Sequence, residues 1–179
     1  MNPQDIINKY YSVGSPLWVT LTGHSKAVRD KALEIVQKHP ELQADSGFVS
    51  EASMLHDIGI YLTHAPGIHC QGKHPYICHG YLGRQLLEKE AYYKHALVCE
   101  RHTGTGLTVN DIQTQSLPIP HRSMVPVSIE EQIICFADKF YSKSKELSKA
   151  KSVDKIIKSM RKHGDHQVTQ FKKWCDLFL

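Results

Sequence analysis

The stretch SGFVSEASMLHDIG, residues 46–59, decides how the rest of the chain is read. Phe48, Val49, Ala52 and Leu55 recur at helical spacing and form one apolar stripe, and Asp45 or Ser46 can cap its start. His56 falls on the same stripe, Asp57 stands beside it, and Gly59 is expected to end the helix. An imidazole and a carboxylate turned toward a core need compensation. A buried carboxylate is costly unless it is paired, hydrogen-bonded or bound to a cation.

Working outward, the same pattern recurs on other helical segments. Ser15 followed by Pro16 starts a helix that ends before Pro40. Leu17, Leu21, His24, Val28, Ala32 and Ile35 share one face of it. A segment from Pro75 through Glu88 puts His79 in register with Leu82 and Leu86. A further helix over Ala91 to His102 carries His102 at helical spacing from Tyr92 and Cys99. Ile129 to Lys145 reads as a long helix with Asp138 on the side of Ile134 and Tyr141. Shorter helices are expected at Asp5 to Tyr11 and at Val109 to Gln115, the latter capped by Thr108. The tail from Val153 holds one or two more, interrupted near Gly164. No period-2 alternation is sustained, so the expected class is an all-α, single-domain helical bundle with its core at about 17–145 and a C-terminal helical extension at about 153–179.

Five helices thus each turn a histidine or aspartate inward. Neutral imidazole nitrogen and carboxylate oxygen are suitable ligands for first-row metals. The candidate metal ligands are His24, His56, Asp57, His79, His102 and Asp138. Each taken singly also reads as a hydrogen-bonded core residue or a cap. The expected cofactor is one or two divalent transition-metal ions, from among Fe, Mn, Zn, Co and Ni. His64, His69, His74 and His121 lack helical register and are expected on surface or lid loops at 60–74 and 117–128.

The ordered set His24, His56-Asp57, His79, His102 and Asp138, with the His-Asp-Ile-Gly at 56–59 and Ala-Asp-Lys at 137–139, resembles the HD-domain superfamily, HDIG subtype. The resemblance covers roughly Leu17 to Lys145. It implies a helical bundle with a central metal site. His24, His56, Asp57 and Asp138 would bind one metal. His79 and His102 match the extra histidines of the dinuclear branch, where Asp57 would bridge. The chain departs from some mononuclear members at Ile60, where they carry a catalytic glutamate, and lacks the Gly-Tyr-Pro signature of others.

The resemblance implies a metal-dependent phosphohydrolase acting on a small, nucleotide-like phosphoester through metal-activated water. Asp57 would accept the water proton, and Lys139, Arg84 or Arg101 would neutralise a phosphate. The alternatives are a dinuclear iron oxygenase on the same ligands and a non-catalytic nucleotide-binding module.

The remaining composition sets the setting. Five scattered cysteines without Cys-x-x-Cys fit free thiols in a cytoplasmic protein. No apolar run is long enough for a membrane span, and the first residues carry no signal-peptide pattern. The net charge of +4 gathers between Lys139 and Lys173 and reads as a solvated face or a weak attraction for anions. There is no arginine-rich tract and no basic strip interleaved with aromatics, so no nucleic-acid polymer is expected as a partner.

Overall fold

Proline and side-chain caps decide where the longest helix begins and ends. Helix α2 (Pro16–Lys38) starts where the Ser15 hydroxyl accepts the N–H of Trp18, and stops before Pro40. The structure, a computed structural model, describes residues 2–143 and 146–179. The fold is all-α and forms a single domain. Before α2 comes α1 (Pro3–Tyr10), and after it α3 (Ser46–Leu55), α4 (His79–Lys89), α5 (Tyr93–Arg101) and α6 (Val109–Thr114). Then follow α7 (Ile129–Asp138), α8 (Val153–Met160) and α9 (Asp165–Phe178).

Several sequence-predicted helices are shorter than expected, among them α5, which was expected over Ala91 to His102 and spans Tyr93–Arg101. Helix α3 ends at Leu55 because the chain tightens into i→i+3 turns, with Ile58 N–H on Leu55 C=O at 3.0 Å and Ile60 N–H on Asp57 C=O at 3.0 Å. Helix α7 ends at Asp138 for the same reason. Lys139, Phe140 and Tyr141 donate to Phe136, Ala137 and Asp138 in successive i→i+3 bonds. The predicted end of that helix, Lys145, lies outside the described residues. The segment from Pro75 also opens with a 3₁₀ turn over Tyr76–Cys78 before α4 begins. The 60–74 loop holds an antiparallel pair of two-residue strands, β1 (His64–Ala65) and β2 (Cys70–Gln71). His64, His69, His74 and His121 are exposed, as loop positions should be.

The core is split by the elements that carry the inward histidines. One cluster lies between α2, α3, α7, α8 and α9, where Phe136 packs on Phe140, Phe171 and Phe178 with ring centroids 5.1–5.3 Å apart. Each such fully buried aromatic contributes roughly 1.5–3 kcal/mol of hydrophobic burial. A second cluster joins α1, α2, α3 and α5 through Ile7, Leu21, Leu55, Ile58 and Cys99. The 117–128 loop is fastened rather than free. Leu107 pairs with Met124 and Ile119 is buried. Arg122 Nε donates to the buried Glu100 at 2.9 Å.

Helix α6 begins with a capping box that makes stability depend on pH. The Thr108 hydroxyl accepts the N–H of Asp111, and the Asp111 carboxylate accepts from Thr108 N–H at 2.9 Å and Thr108 Oγ1 at 2.7 Å. Burial pushes the Asp111 carboxyl up, but these hydrogen bonds and His166 at 3.2 Å outweigh it and hold it low. A folded pKa below the unfolded one, about 3.9, adds stability above that pH and loses it as pH falls. Asp111→Asn is therefore expected to flatten the acid side of the stability profile. Urea melts at about pH 5 and about pH 3 read this directly. An acid slope unchanged from the parent chain would refute it.

Candidate metal centre

Six buried side chains from five elements meet in one place. His24 comes from the middle of α2, and His56 and Asp57 from the tight turn after α3. His79 opens α4, His102 follows α5 and Asp138 closes α7. All six are buried, and His24, His56 and Asp57 have no exposed surface. Near-3₁₀ winding after Leu55 sets His56 and Asp57 about 120° apart, rather than at α-helical spacing.

The ligand atoms fall into two groups that share Asp57. Asp57 Oδ2 faces His56 Nε2 at 3.1 Å and His24 Nε2 at 3.3 Å, and Asp138 Oδ1 lies 3.0 Å from His24 Nε2. Asp57 Oδ1 faces His102 Nε2 at 3.3 Å and His79 Nε2 at 3.5 Å. One carboxylate thus presents a different oxygen to each histidine pair.

The orientation of the rings says which protons they carry. His56, His79 and His102 each place Nδ1 at 2.7 Å from a backbone carbonyl, of Ser53, Tyr76 and Cys99 respectively. Nδ1–H donates there, which leaves each neutral ring with a lone pair on Nε2. Two of those nitrogens, on His79 and His102, face each other at 3.0 Å. Lone pairs that close repel unless a cation lies between them. His56 Nε2 and both Asp57 oxygens also lack a well-directed hydrogen bond despite their close neighbours. Metal–ligand bonds of about 2.0–2.2 Å separate neighbouring donors by about 2.9–3.5 Å in tetrahedral or octahedral shells. The donor spacing, the donor chemistry and the carbonyl-anchored rings all fit divalent cations. His24 is less complete, since its buried Nδ1 has no partner.

Charge at the centre is balanced by two lysines. Burial opposes ionisation of Asp57, but Lys143 beside it, together with His56, holds the carboxyl well below the usual range. Lys139 does the same for Asp138. Lys143 Nζ lies 2.7 Å from Asp57 Oδ2, and Lys139 Nζ lies 2.8 Å from Asp138 Oδ2 and 2.9 Å from His102 C=O. Burial and the neighbouring His102 lower His79 to about 3. Asp57 and Asp138 outweigh the burial of His56 and raise it to about 9 where no cation lies between them, so a bound cation would take the place of its Nε2 proton.

Of the sequence-predicted site residues, the six candidate ligands and Lys139 are brought together. Arg84 and Arg101 are engaged elsewhere. Arg84 Nε donates to Glu88 at 2.7 Å and its guanidinium also pairs with Glu100, while Arg101 binds both oxygens of Glu131 at 3.0 Å. Lys143 and Tyr76 were not predicted. Tyr76 stacks on His79 with centroids 4.6 Å apart and reaches the Lys143 amine. Lys143 lies five residues past Asp138, a spacing that means nothing once α7 has ended. A cavity of about 420 Å³ opens beside this pair, walled by Tyr76, Tyr141, Lys143 and Lys151 and by the 60–74 loop.

Fold and centre together define an all-helical domain with a shared-carboxylate His/Asp centre. The chain belongs to the same family as the uncharacterized protein MJ0778 of Methanocaldococcus jannaschii. The two are 30% identical over 142 residues, which is 78% of this chain and 74% of that protein. It is also similar to two proteins named tRNA (cytidine(56)-2'-O)-methyltransferase. One, from Thermoplasma volcanium, is 27% identical over 86% of this chain. The other, from Picrophilus torridus, is 30% identical over 64% of it. The chain spans 41% and 30% of the length of those two methyltransferases. No family model matches the chain, and no solved structure matches it.

These likenesses correct the sequence reading on two points. The expected phosphohydrolase acting on a small phosphoester is overturned, because the relatives with a named activity are RNA methyltransferases. A His/Asp donor set specifies that a cation can be held and leaves the reaction open. The exclusion of a nucleic-acid partner is overturned by the same relatives, whose named substrate is a tRNA. The cations gather between Lys139 and Lys173 as spaced lysines rather than as an arginine-rich tract, and lysine neutralises phosphate as arginine does, so the absence of such a tract carries no weight against RNA. Among the described residues, no helix is long and apolar enough to cross a membrane, and the five cysteines are free.

Proposed function

We propose that this chain is an enzyme domain of the tRNA ribose-methylation machinery, one that binds tRNA beside an HD-type divalent-metal centre. The observation that carries the tRNA part is its similarity to two tRNA 2'-O-methyltransferases over most of its own length. Because it spans less than half of either, we assign it the metal-holding and tRNA-contacting share of that activity. His24, His56, Asp57 and Asp138 would hold one ion, and Asp57, His79 and His102 a second. A bound divalent ion supplies Lewis acidity toward a ribose or phosphate oxygen. Lys139 and Lys143 keep the two carboxylates ionised and add positive charge where an RNA backbone would approach.

The test uses the full chain purified without chelator. Elemental analysis is expected to find divalent transition metal, and an unmodified tRNA transcript is expected to bind in a filter assay. Adding a labelled methyl donor then asks whether the chain alone transfers methyl groups. Metal-loaded protein that fails to retain tRNA at low salt would overturn the reading.

A further inference from the structure

Helix α8 and the turn after it carry a run of cations that the metal centre does not use. Between Lys149 and Lys162 there are six cationic residues and one acid, Asp154. Ile156 and Met160 turn into the core, while Lys155, Lys158, Arg161 and Lys162 are exposed. Lys151, Lys155, Lys158 and Lys162 follow at intervals of four, three and four, the spacing of one side of a helical path. Among the described residues, Lys155, Lys158, Arg161 and Lys162 have no acidic partner, whereas Lys149 is paired with Glu146 at 2.7 Å. Unneutralised like charges at these spacings repel and weaken the helix by a few tenths of a kcal/mol per pair. They are therefore tolerated at a cost unless an anion covers them.

The run also leads somewhere. A cavity of about 250 Å³ lies under α8, with Ile156, Ser159 and Met160 on one side and Asp138, Lys139 and Lys143 on the other. Lys151 lines both this cavity and the larger one beside Tyr76. The geometry points to an RNA-backbone track: Lys151, Lys155, Lys158 and Lys162 bind successive phosphates of a tRNA and guide it to the metal centre. This rests on the tRNA reading above and adds the surface that makes the contact. The exposed amines carry no planar fork for base edges, so the track supplies affinity and register without reading sequence.

Binding of an unmodified tRNA transcript to the full chain, followed by fluorescence anisotropy over a salt series, tests it. The triple variant Lys155→Gln, Lys158→Gln, Lys162→Gln is expected to bind at least about tenfold more weakly at ~0.1 M salt. Its slope of log affinity against log salt should fall by about 2 to 3 units, roughly 0.7–0.9 for each phosphate no longer neutralised. The matching triple Lys→Arg variant should bind like the parent chain. Metal content should be unchanged in both, and neither should melt below the parent chain, because these side chains are exposed and the Gln variant relieves their mutual repulsion. A Gln variant with the parent's affinity and slope would overturn the track and leave the tRNA reading standing. A parent chain that does not bind tRNA would overturn both.

Discussion

An Asp57→Ala chain is expected to lose its bound metal almost entirely, while His79→Ala or His102→Ala keeps roughly one of about two ions. The asymmetry follows from geometry. Asp57 Oδ2 belongs with His24 and His56, and Asp57 Oδ1 with His79 and His102. Removing either of the last two histidines touches one donor group only. Removing Asp57 strips a ligand from both and also withdraws the negative charge that draws a cation to the histidines. Elemental analysis of chelator-free preparations reads the outcome. Equal metal loss in Asp57→Ala and His79→Ala would sink the shared-carboxylate arrangement. Stability follows occupancy. With free metal at 100 times its Kd, binding adds about 2.7 kcal/mol. For a chain of this size that corresponds to roughly 5–10 °C in Tm. Comparing the parent chain with and without chelator isolates that contribution from the separate cost of leaving Lys143 without its closest counter-ion.

The inward placement of the six candidate ligands was legible in the sequence because each sits at an apolar register position. His24 follows Leu21 and precedes Val28 on α2, and His79 shares its face with Leu82 and Leu86. Start signals were legible too, since Ser15, Asp45 and Thr108 all cap helices through their side chains. Helix ends were less so. Neither α3 nor α7 stops at a glycine or proline. Both tighten into i→i+3 turns at the metal-type residues themselves, and no residue type signals that. Lys143 was hidden for this reason, as its place depends on how the chain leaves α7. The reaction was not legible at all. Holding a cation and choosing what it acts on are separate properties. The lysines of the proposed RNA track on and around α8 are spaced along a helical path and form no motif that names a substrate.

Gly59 does not end α3, which stops at Leu55, yet its replacement should be among the most damaging in the chain. As a helix terminator it would need a left-handed backbone, yet its φ is −81°. What it lacks room for is a side chain. A Cβ at Gly59 would lie 2.2 Å from the carbonyl oxygen of His79 and 2.5 Å from the backbone nitrogen of Gly83. Both are backbone atoms, so no rotamer change relieves the contact. Helix α4 would have to retreat, taking His79 away from Asp57. Gly59→Ala is expected to cost about 3 kcal/mol, the upper end for overpacking, and so to lower Tm by roughly 6–12 °C. The second metal should be lost before the first. Gly83→Ala should cost less, because its Cβ would meet the Cys99 side chain and the Gly59 nitrogen at 3.2–3.4 Å. Asparagine separates the two explanations. A terminator tolerates Asn, which adopts left-handed backbone readily, whereas a close approach makes Asn worse than Ala. Thermal melts ranking Gly59→Asn above Gly59→Ala would refute the close-packing account.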